Sequence, residues 1–175
     1  MGATPDKRCT FLHVDDQGDD QYLVREVARL TGLPFRIEPF FSGEAALQYV
    51  AGAEPFDDEG AYPLPDFVLL DYDLGSMTAD RVVARMRKQP RGKGLPIIVY
   101  TNSSDRGDMM RCYRAGANHF LMKPTSLERV KAILHTLYHC ATARPPCYDV
   151  VASLKEHSSM SGGPSIGDVD KRRWA

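Results

Sequence analysis

The chain has 175 residues, 43% apolar and 26% charged, which suits one domain with a sizeable core and a short tail. A formal net charge of -1, with 22 basic against 23 acidic residues, argues against extensive binding to nucleic acids or anionic membranes, which requires a basic excess. With no apolar run of about eighteen residues and no signal-peptide pattern at residues 1–10, we expect a soluble, cytoplasmic protein.

Five short segments are predicted to form the strands of a parallel sheet, at residues 11–14, 35–40, 67–70, 97–100 and 120–122. Four of them are almost continuously apolar, as expected of strands that are buried on both faces of such a sheet. The second alternates instead, with Phe35 and Ile37 on one face, and it carries Pro39. A polar face and a proline indicate a strand at the edge of the sheet.

Amphipathic segments between the strands are predicted to form helices at residues 19–30, 43–50, 79–88, 108–115 and 126–138. The apolar stripes of the first and last helix are predicted to consist of Leu23, Val27 and Leu30, and of Leu127, Val130, Leu134 and Leu137. The repeated strand–helix alternation predicts an α/β protein in which helices cover both faces of a five-stranded parallel sheet.

Two stretches fall outside this alternation. Residues 53–65 are rich in proline, glycine and acidic residues and are predicted to form a loop before the third strand. The chain becomes polar after Pro145 and Pro146. We therefore expect one domain at residues 8–140 and a mostly flexible tail at residues 141–175, which is too short for a separate output domain or a DNA-binding module.

Polar side chains end four of the apolar runs, namely Asp15 and Asp16, Asp71, Thr101 and Lys123. Because the carboxyl ends of parallel strands share one crevice, these side chains should converge. Three crowded carboxylates repel one another unless a cation joins them, and hard oxygen ligands favour Mg²⁺, with Mn²⁺ as the other candidate. A carboxylate beside such a metal can form an aspartyl phosphate, whose oxygens would meet the ammonium and the hydroxyl group.

The order and spacing of these residues resemble the receiver domains of two-component response regulators. The resemblance is carried by the sequences FLHVDD at 11–16, FVLLD at 67–71, IIVYT at 97–101, and AGA followed by FLMKP at 115–124. It covers residues 8–140 and implies the flavodoxin-like receiver fold, with strand order 2-1-3-4-5. The family usually has a proline four residues after the acceptor, where this chain has Gly75.

The resemblance implies a role for each acidic residue. Asp71 is identified as the phosphoacceptor. Asp16 and Asp71 resemble the direct carboxylate ligands of Mg²⁺, and Asp15 resembles the residue that acts mainly through water. The backbone carbonyl of Asp73 is implied as a further metal ligand.

The resemblance also assigns the residues that respond to the phosphoryl group. Lys123 resembles the phosphate-binding lysine, and its bond to Pro124 is expected to be cis. Thr101 and Phe120 resemble the switch pair, in which the hydroxyl group moves toward the phosphoryl group and the ring turns inward. Ordinary core packing is the alternative for Phe120, since most aromatic residues lie in the core.

The family implies a signalling switch rather than an enzyme with a separate substrate, its only reactions being self-phosphorylation and autodephosphorylation. A sensor histidine kinase would supply the phosphoryl group, which then changes protein–protein contacts. A narrower similarity, to single-domain regulators paired with phytochrome-type kinases, rests on the loop at 53–65 and on residues 101–105 and 116–118. A homodimer through the fourth and fifth helices stays open.

One alternative comes from a different class, the haloacid-dehalogenase-type phosphatases. The apolar residues before Asp71-Tyr72-Asp73 match the strand and D-x-D motif of that family. That family places the motif near the start of the chain and a further acidic pair after a later strand. Here the acidic pair, Asp15-Asp16, precedes the motif.

Overall fold

Five parallel strands and five α-helices alternate along residues 8–143, the part of the chain that this computed structural model describes. The strands are β1 (Cys9–Val14), β2 (Phe35–Phe40), β3 (Phe67–Leu70), β4 (Ile97–Thr101) and β5 (His119–Met122). The helices are α1 (Gly18–Thr31), α2 (Gly43–Ala51), α3 (Ala79–Lys88), α4 (Arg106–Ala115) and α5 (Leu127–Thr142), with a short 3-10 turn at Pro90–Gly92. All ten predicted elements are therefore present.

The strands form one sheet in the order β2-β1-β3-β4-β5, and every neighbouring pair is parallel. This confirms the predicted α/β class and the strand order of the flavodoxin-like receiver fold. It also confirms β2 as an edge strand, with Pro39 opposite His13 of β1. The inner strands β1, β3 and β4 are buried along their whole length, as their apolar runs predicted.

Side chains alternate between the two faces of the sheet and build two apolar layers. Leu12 and Leu70 lie in the layer that α2, α3 and α4 cover, whereas Phe11 and Leu69 lie in the layer that α1 and α5 cover. A fully buried aliphatic side chain contributes about 1.5–3 kcal/mol. The sheet is therefore held rigidly from both sides, and its strand ends stand at fixed positions.

The apolar stripe predicted for α1 is wrong in part. Leu30 is exposed and Leu23 only half-buried, and the helix instead buries Gln21, Val24, Val27 and Ala28. Gln21 can be buried because its side-chain amide donates hydrogen bonds of 2.9–3.1 Å to three backbone carbonyls of β1, β2 and the residue after β1. A glutamine thus lies on the inner face of α1, which the predicted stripe of Leu23, Val27 and Leu30 did not include.

The stripe predicted for α5 is confirmed at Val130, Leu134 and Leu137 and wrong at Leu127, which is exposed. Leu127 is the first helical residue, after the cap formed by Ser126, and it precedes the part of the helix that packs on the sheet. The helix continues to Thr142, so it crosses the predicted domain boundary at residue 140. The rest of the predicted tail lies outside the described residues.

The loop between α2 and β3 is packed against the domain by aromatic side chains. Phe56 and Tyr62 lie with ring centroids 5.3 and 6.0 Å from the ring of Tyr49 in α2, and the Tyr49 hydroxyl donates to the carbonyl of Pro63 at 2.9 Å. These contacts close the loop over α2 and the β2 edge. Within residues 8–143, no helix has the length and apolar character that crossing a membrane requires.

Candidate functional site

The carboxyl ends of β1, β3, β4 and β5 bring the predicted polar residues together. Asp15 and Asp16 follow β1, Asp71 follows β3, Thr101 ends β4 and Lys123 follows β5. One carboxylate oxygen from each of the three aspartates lies within 4.8 Å of the others. In the described part of the chain, these three form the one group of acidic, histidine or cysteine side chains close enough to share an ion.

The ammonium group of Lys123 lies among the carboxylates. Its Nζ donates to Oδ2 of Asp15 and to Oδ2 of Asp20, at 2.7 Å each, and it lies 3.1 Å from Oδ1 of Asp71. The Lys123 side chain is only 9% exposed. The expectation of a cis bond before Pro124 is wrong: the described residues contain one cis peptide, Glu54–Pro55, and the bond before Pro124 is in the ordinarily favoured trans form.

Burial makes the ionised carboxylates costly. Asp15 is fully buried; it accepts a hydrogen bond from the backbone N–H of Gln17 at 2.9 Å, and its Oδ2 lies 3.8 Å from Nε2 of His13. Burial raises the pKa of Asp15 and of Asp71, although the neighbouring Lys123 acts in the opposite direction. A further cation at this position would relieve that cost.

The pKa values of the two basic groups of the site, Lys123 and His13, shift in opposite directions. Burial lowers the pKa of Lys123, but hydrogen bonds to Asp15 and Asp20 outweigh this effect and raise the pKa above its ordinary value. Burial and the charge of Lys123 lower the pKa of His13 to about 4, so His13 is neutral at neutral pH. One ammonium group therefore faces several carboxylates, and the site has a net negative charge that suits a divalent cation.

The loop after β3 is held close to these carboxylates by hydrogen bonds and a left-handed glycine. The backbone N–H of Asp73 lies 3.3 Å from Oδ2 of Asp71, and the Asp73 side chain accepts from the N–H of Gly75 at 3.1 Å. Gly75 has a φ of +71°, and a Cβ atom there would lie 3.8 Å from Oδ2 of Asp16. Glycine thus permits the left-handed turn, and the turn passes close to Asp16, the most open of the three aspartates. An all-oxygen donor set of this kind fits Mg²⁺ or Mn²⁺.

Thr101 is buried and connected to the start of α4. Its Oγ1 accepts a hydrogen bond from the backbone N–H of Ser103 at 3.1 Å, and Oγ of Ser103 donates to Oδ2 of Asp108 at 2.7 Å. Asp105 caps the helix by accepting from the backbone N–H of Asp108 at 2.8 Å. A displacement of the Thr101 hydroxyl would therefore act on the first turn of α4.

A second connection to α4 starts beside Asp71. Arg111 Nη2 lies 3.1 Å from the hydroxyl oxygen of Tyr72, the residue after Asp71, and the same guanidinium pairs with Asp108. Sequence reasoning missed this contact because no spacing signal links Tyr72 with a residue 39 positions further on. It missed Asp20 for the same reason, since Lys123 lies 103 positions away.

Phe120 in β5 is half-buried and packs against the apolar layer under α2, α3 and α4. Its backbone N–H donates to the hydroxyl of Tyr113 in α4 at 3.2 Å. Core packing accounts for part of the ring, and its predicted role in the switch stays a prediction.

Comparisons with known proteins agree with this geometry. A family model described as the response regulator receiver domain matches residues 11–135. The probable methanogenesis regulatory protein FilR2 of Methanothrix harundinacea is 31% identical over 121 residues, which cover 69% of this chain and 76% of that protein.

Two solved structures have the same architecture and similar sequences. The response regulator RPA3017 in red light signaling of R. palustris has a TM-score of 0.69 and 26% identity, covering 75% of this chain and 92% of that one. The Mn²⁺-bound form of response regulator Rcp1 has a TM-score of 0.64 and 25% identity, covering 71% of this chain and 91% of that one.

Proposed function

The chain belongs to the response regulator receiver domain family, and from that premise we propose which of its residues perform phosphoryl transfer. A receiver accepts a phosphoryl group in two-component signalling. Asp71 is proposed as the acceptor. The observation that carries this assignment is the contact of one buried ammonium, that of Lys123, with both Asp15 and Asp71. The phosphatase alternative receives no support from the comparisons.

The proposed reaction is a transfer between two nucleophiles. A carboxylate oxygen of Asp71 attacks the phosphorus of a phosphohistidine on the kinase, the P–O bond forms, and the P–N bond breaks with the electron pair leaving on the imidazole. The Lys123 ammonium offsets the charge of the phosphoryl oxygens, and the Thr101 hydroxyl hydrogen-bonds to them. Nζ of Lys123 lies 3.1 Å from Oδ1 of Asp71, and Thr101 ends β4, the strand next to β3.

We propose that Asp15, Asp16, Asp71 and the backbone carbonyl of Asp73 hold Mg²⁺, with Mn²⁺ as the other candidate. The cation would neutralise charge on the phosphoryl oxygens. The converging carboxylates and their burial support this proposal, as does the Mn²⁺ in the Rcp1 structure.

The proposed switch is the pair Thr101 and Phe120, and its output is a protein contact. Movement of Thr101 would release Ser103 and, through it, Asp108 at the start of α4. Large apolar side chains are exposed on the elements around this switch, at Met110, Met122 and Leu127. We propose this face as the contact surface for a partner or for a second copy through α4 and α5.

The kinase partner is proposed to be a sensor histidine kinase of the phytochrome type, acting in the cytoplasm. The similarity to a regulator in red light signaling supports this choice. Self-phosphorylation and autodephosphorylation are proposed as the only reactions of the chain.

Labelling with acetyl phosphate tests the acceptor and distinguishes it from the phosphatase alternative. We expect wild type and Asp73→Asn to take up the phosphoryl group with Mg²⁺ and Asp71→Asn to take up none. A receiver needs only the backbone carbonyl of Asp73, whereas a D-x-D phosphatase needs both carboxylates. Equal labelling of wild type and Asp71→Asn, or none in either, contradicts the acceptor assignment. Labelling that persists after chelation of the metal contradicts the Mg²⁺ requirement.

A further inference from the structure

Lys123 is shared with a carboxylate that the receiver pattern does not include. Asp20, in the first turn of α1, accepts a hydrogen bond from Lys123 Nζ at 2.7 Å, which is shorter than the 3.1 Å between Nζ and Asp71. We propose that Asp20 is a positioning residue: it holds the ammonium group toward α1 and competes for it with the phosphoryl group on Asp71. This inference rests on the proposed phosphorylation of Asp71.

The number of N–H donors on Lys123 limits how many phosphoryl oxygens it can bind while it keeps its present partners. An ammonium group has three N–H donors: here it donates to Asp15 and Asp20, and Asp71 is its third anionic neighbour, with Oδ1 lying 3.1 Å from Nζ. Phosphorylation of Asp71 adds new, more strongly charged acceptor oxygens at the third position. Lys123 can bind more than one of them only if another carboxylate gives up its hydrogen bond.

Asp20 is the partner that can give way. Asp15 is fully buried and is also fixed by the backbone N–H of Gln17. The side chain of Asp20 is 31% exposed, and among the described residues the bond from Lys123 is its one hydrogen bond. A turn of its side chain would bring the Asp20 carboxylate into water, where its charge costs little.

The residues around Lys123 favour a position of its ammonium group near α1 before phosphorylation. Asp20, Tyr100 and Pro124 line a small pocket of about 80 Å³ beside the ammonium, whose Nζ lies 5.9 Å from the centre of the Tyr100 ring. The ring face of Tyr100 and the carboxylate of Asp20 both attract the ammonium group. Removal of the Asp20 charge should therefore shift the ammonium toward Asp71 and reduce the repulsion of an incoming phosphoryl group.

The test uses beryllium trifluoride, which replaces the phosphoryl group on an aspartate without a covalent reaction. Fluorine NMR titrations of the full chain with Mg²⁺ give the apparent Kd for wild type and variants. We expect Asp20→Asn to bind the mimic about three- to tenfold more tightly than wild type, the size of a partly exposed charge contact. We expect Asp20→Glu, which can still reach Lys123, to restore affinity close to that of wild type.

Asp19→Asn is the matched control, because it removes the same charge from the same helical turn. Its affinity should equal that of wild type, so an equal gain in Asp19→Asn would show that only overall charge matters and would overturn the proposal. Unchanged or weaker binding by Asp20→Asn would also overturn it.

The two proposals fail in different ways. If wild type is labelled by acetyl phosphate at Asp71 but Asp20→Asn binds the mimic as wild type does, only the role of Asp20 is wrong. If Asp71→Asn is labelled as well as wild type, the phosphoacceptor itself is wrong.

Discussion

Two basic side chains lie within the domain at opposite ends of the sheet, and their partners differ in kind. Lys123, at the carboxyl ends of the strands, contacts carboxylates on β1, β3 and α1. Arg87, near the C-terminus of α3, donates to neutral oxygens instead, at distances of 2.5–3.0 Å. These are the backbone carbonyls of Gly92, Leu95 and Gly116 and the side-chain oxygen of Asn118.

The pKa values of the two groups shift in opposite directions as a result. Burial lowers the pKa of Arg87, and none of these hydrogen-bonded oxygens carries a charge. Burial acts on Lys123 in the same direction, but the carboxylates outweigh it and raise the pKa. A cation among carbonyls therefore fixes loops to one another, whereas a cation among carboxylates can exchange one anionic partner for another. We propose that the first arrangement serves the fold and the second serves phosphoryl binding.

Substitution of Lys123 and of Arg87, one at a time, should separate a role in phosphorylation from a role in stability. The largest effect is expected for Lys123. We expect Lys123→Met to lower the rate of labelling by acetyl phosphate by about 10²–10³-fold, because the developing charge on the phosphoryl oxygens loses its ammonium. The rate is measured with Mg²⁺ and expressed per folded molecule. Lys131→Met removes an exposed lysine from α5 and should label as wild type does. A loss of less than about threefold in Lys123→Met would contradict the role of Lys123.

Arg87→Met should show the opposite result, a loss of stability with labelling per folded molecule unchanged. We expect the free energy of unfolding to fall by about 3 kcal/mol, because three carbonyls in the α3–β4 and α4–β5 connections lose a charged donor. Urea unfolding followed by circular dichroism measures this loss. Arg85→Met, an exposed arginine on the same helix, should change stability by less than about 0.5 kcal/mol. Equal losses in the two variants would show that the carbonyl contacts contribute nothing.

Addition of Mg²⁺ should separate the two ends of the sheet further, since the proposed metal site lies at the carboxyl ends of the strands only. At about ten times its Kd, the metal should raise the free energy of unfolding of wild type by about 1.4 kcal/mol. Arg87→Met should gain as much, because its carboxylate site is intact. Asp16→Asn should gain nothing, because it loses the most open proposed ligand. Thermal unfolding with and without chelator gives these differences, and stabilisation of Asp16→Asn would place the metal elsewhere.

The sequence predicted the strands well because four of them are buried on both faces and therefore apolar throughout. It also predicted that Asp15, Asp71 and Lys123 would meet, because the carboxyl ends of parallel strands share one edge of the sheet. It failed at α1, where Gln21 is buried by bonding to three carbonyls, which an apolar pattern cannot show.

The surroundings of Lys123 and of Arg87 also depend on contacts between residues far apart in sequence. From the sequence alone, Asp20 is an ordinary acidic residue in the first turn of a helix. Arg87 is likewise an ordinary basic residue at the end of a helix, where solvent exposure is expected. Only the fold brings Asp20 to Lys123, 103 residues away, and Arg87 to Gly116, 29 residues away.

The smallest expected effect tests whether the buried carboxylates at the carboxyl ends of the strands lower the free energy of unfolding. Burial raises the pKa of Asp71 above its ordinary 3.8, against the opposing effect of Lys123, so the ionised form destabilises the folded state at neutral pH. In metal-free solution, Asp71→Asn should therefore be more stable than wild type, by on the order of 0.5–1 kcal/mol.

The pH dependence of the stability gain in Asp71→Asn tests whether the carboxylates around Lys123 destabilise the fold. When a carboxyl group has a higher pKa in the folded than in the unfolded state, the free energy of unfolding decreases as the pH rises through the folded-state pKa. The gain of Asp71→Asn should therefore shrink as the pH falls, and vanish below about 3.8, where Asp71 is protonated in both states. Urea unfolding with chelator at a series of pH values measures it. If Asp71→Asn were less stable at neutral pH, the pair with Lys123 would stabilise the fold, as we predict for the carbonyl contacts of Arg87. The two ends of the sheet would then not differ in their contribution to stability.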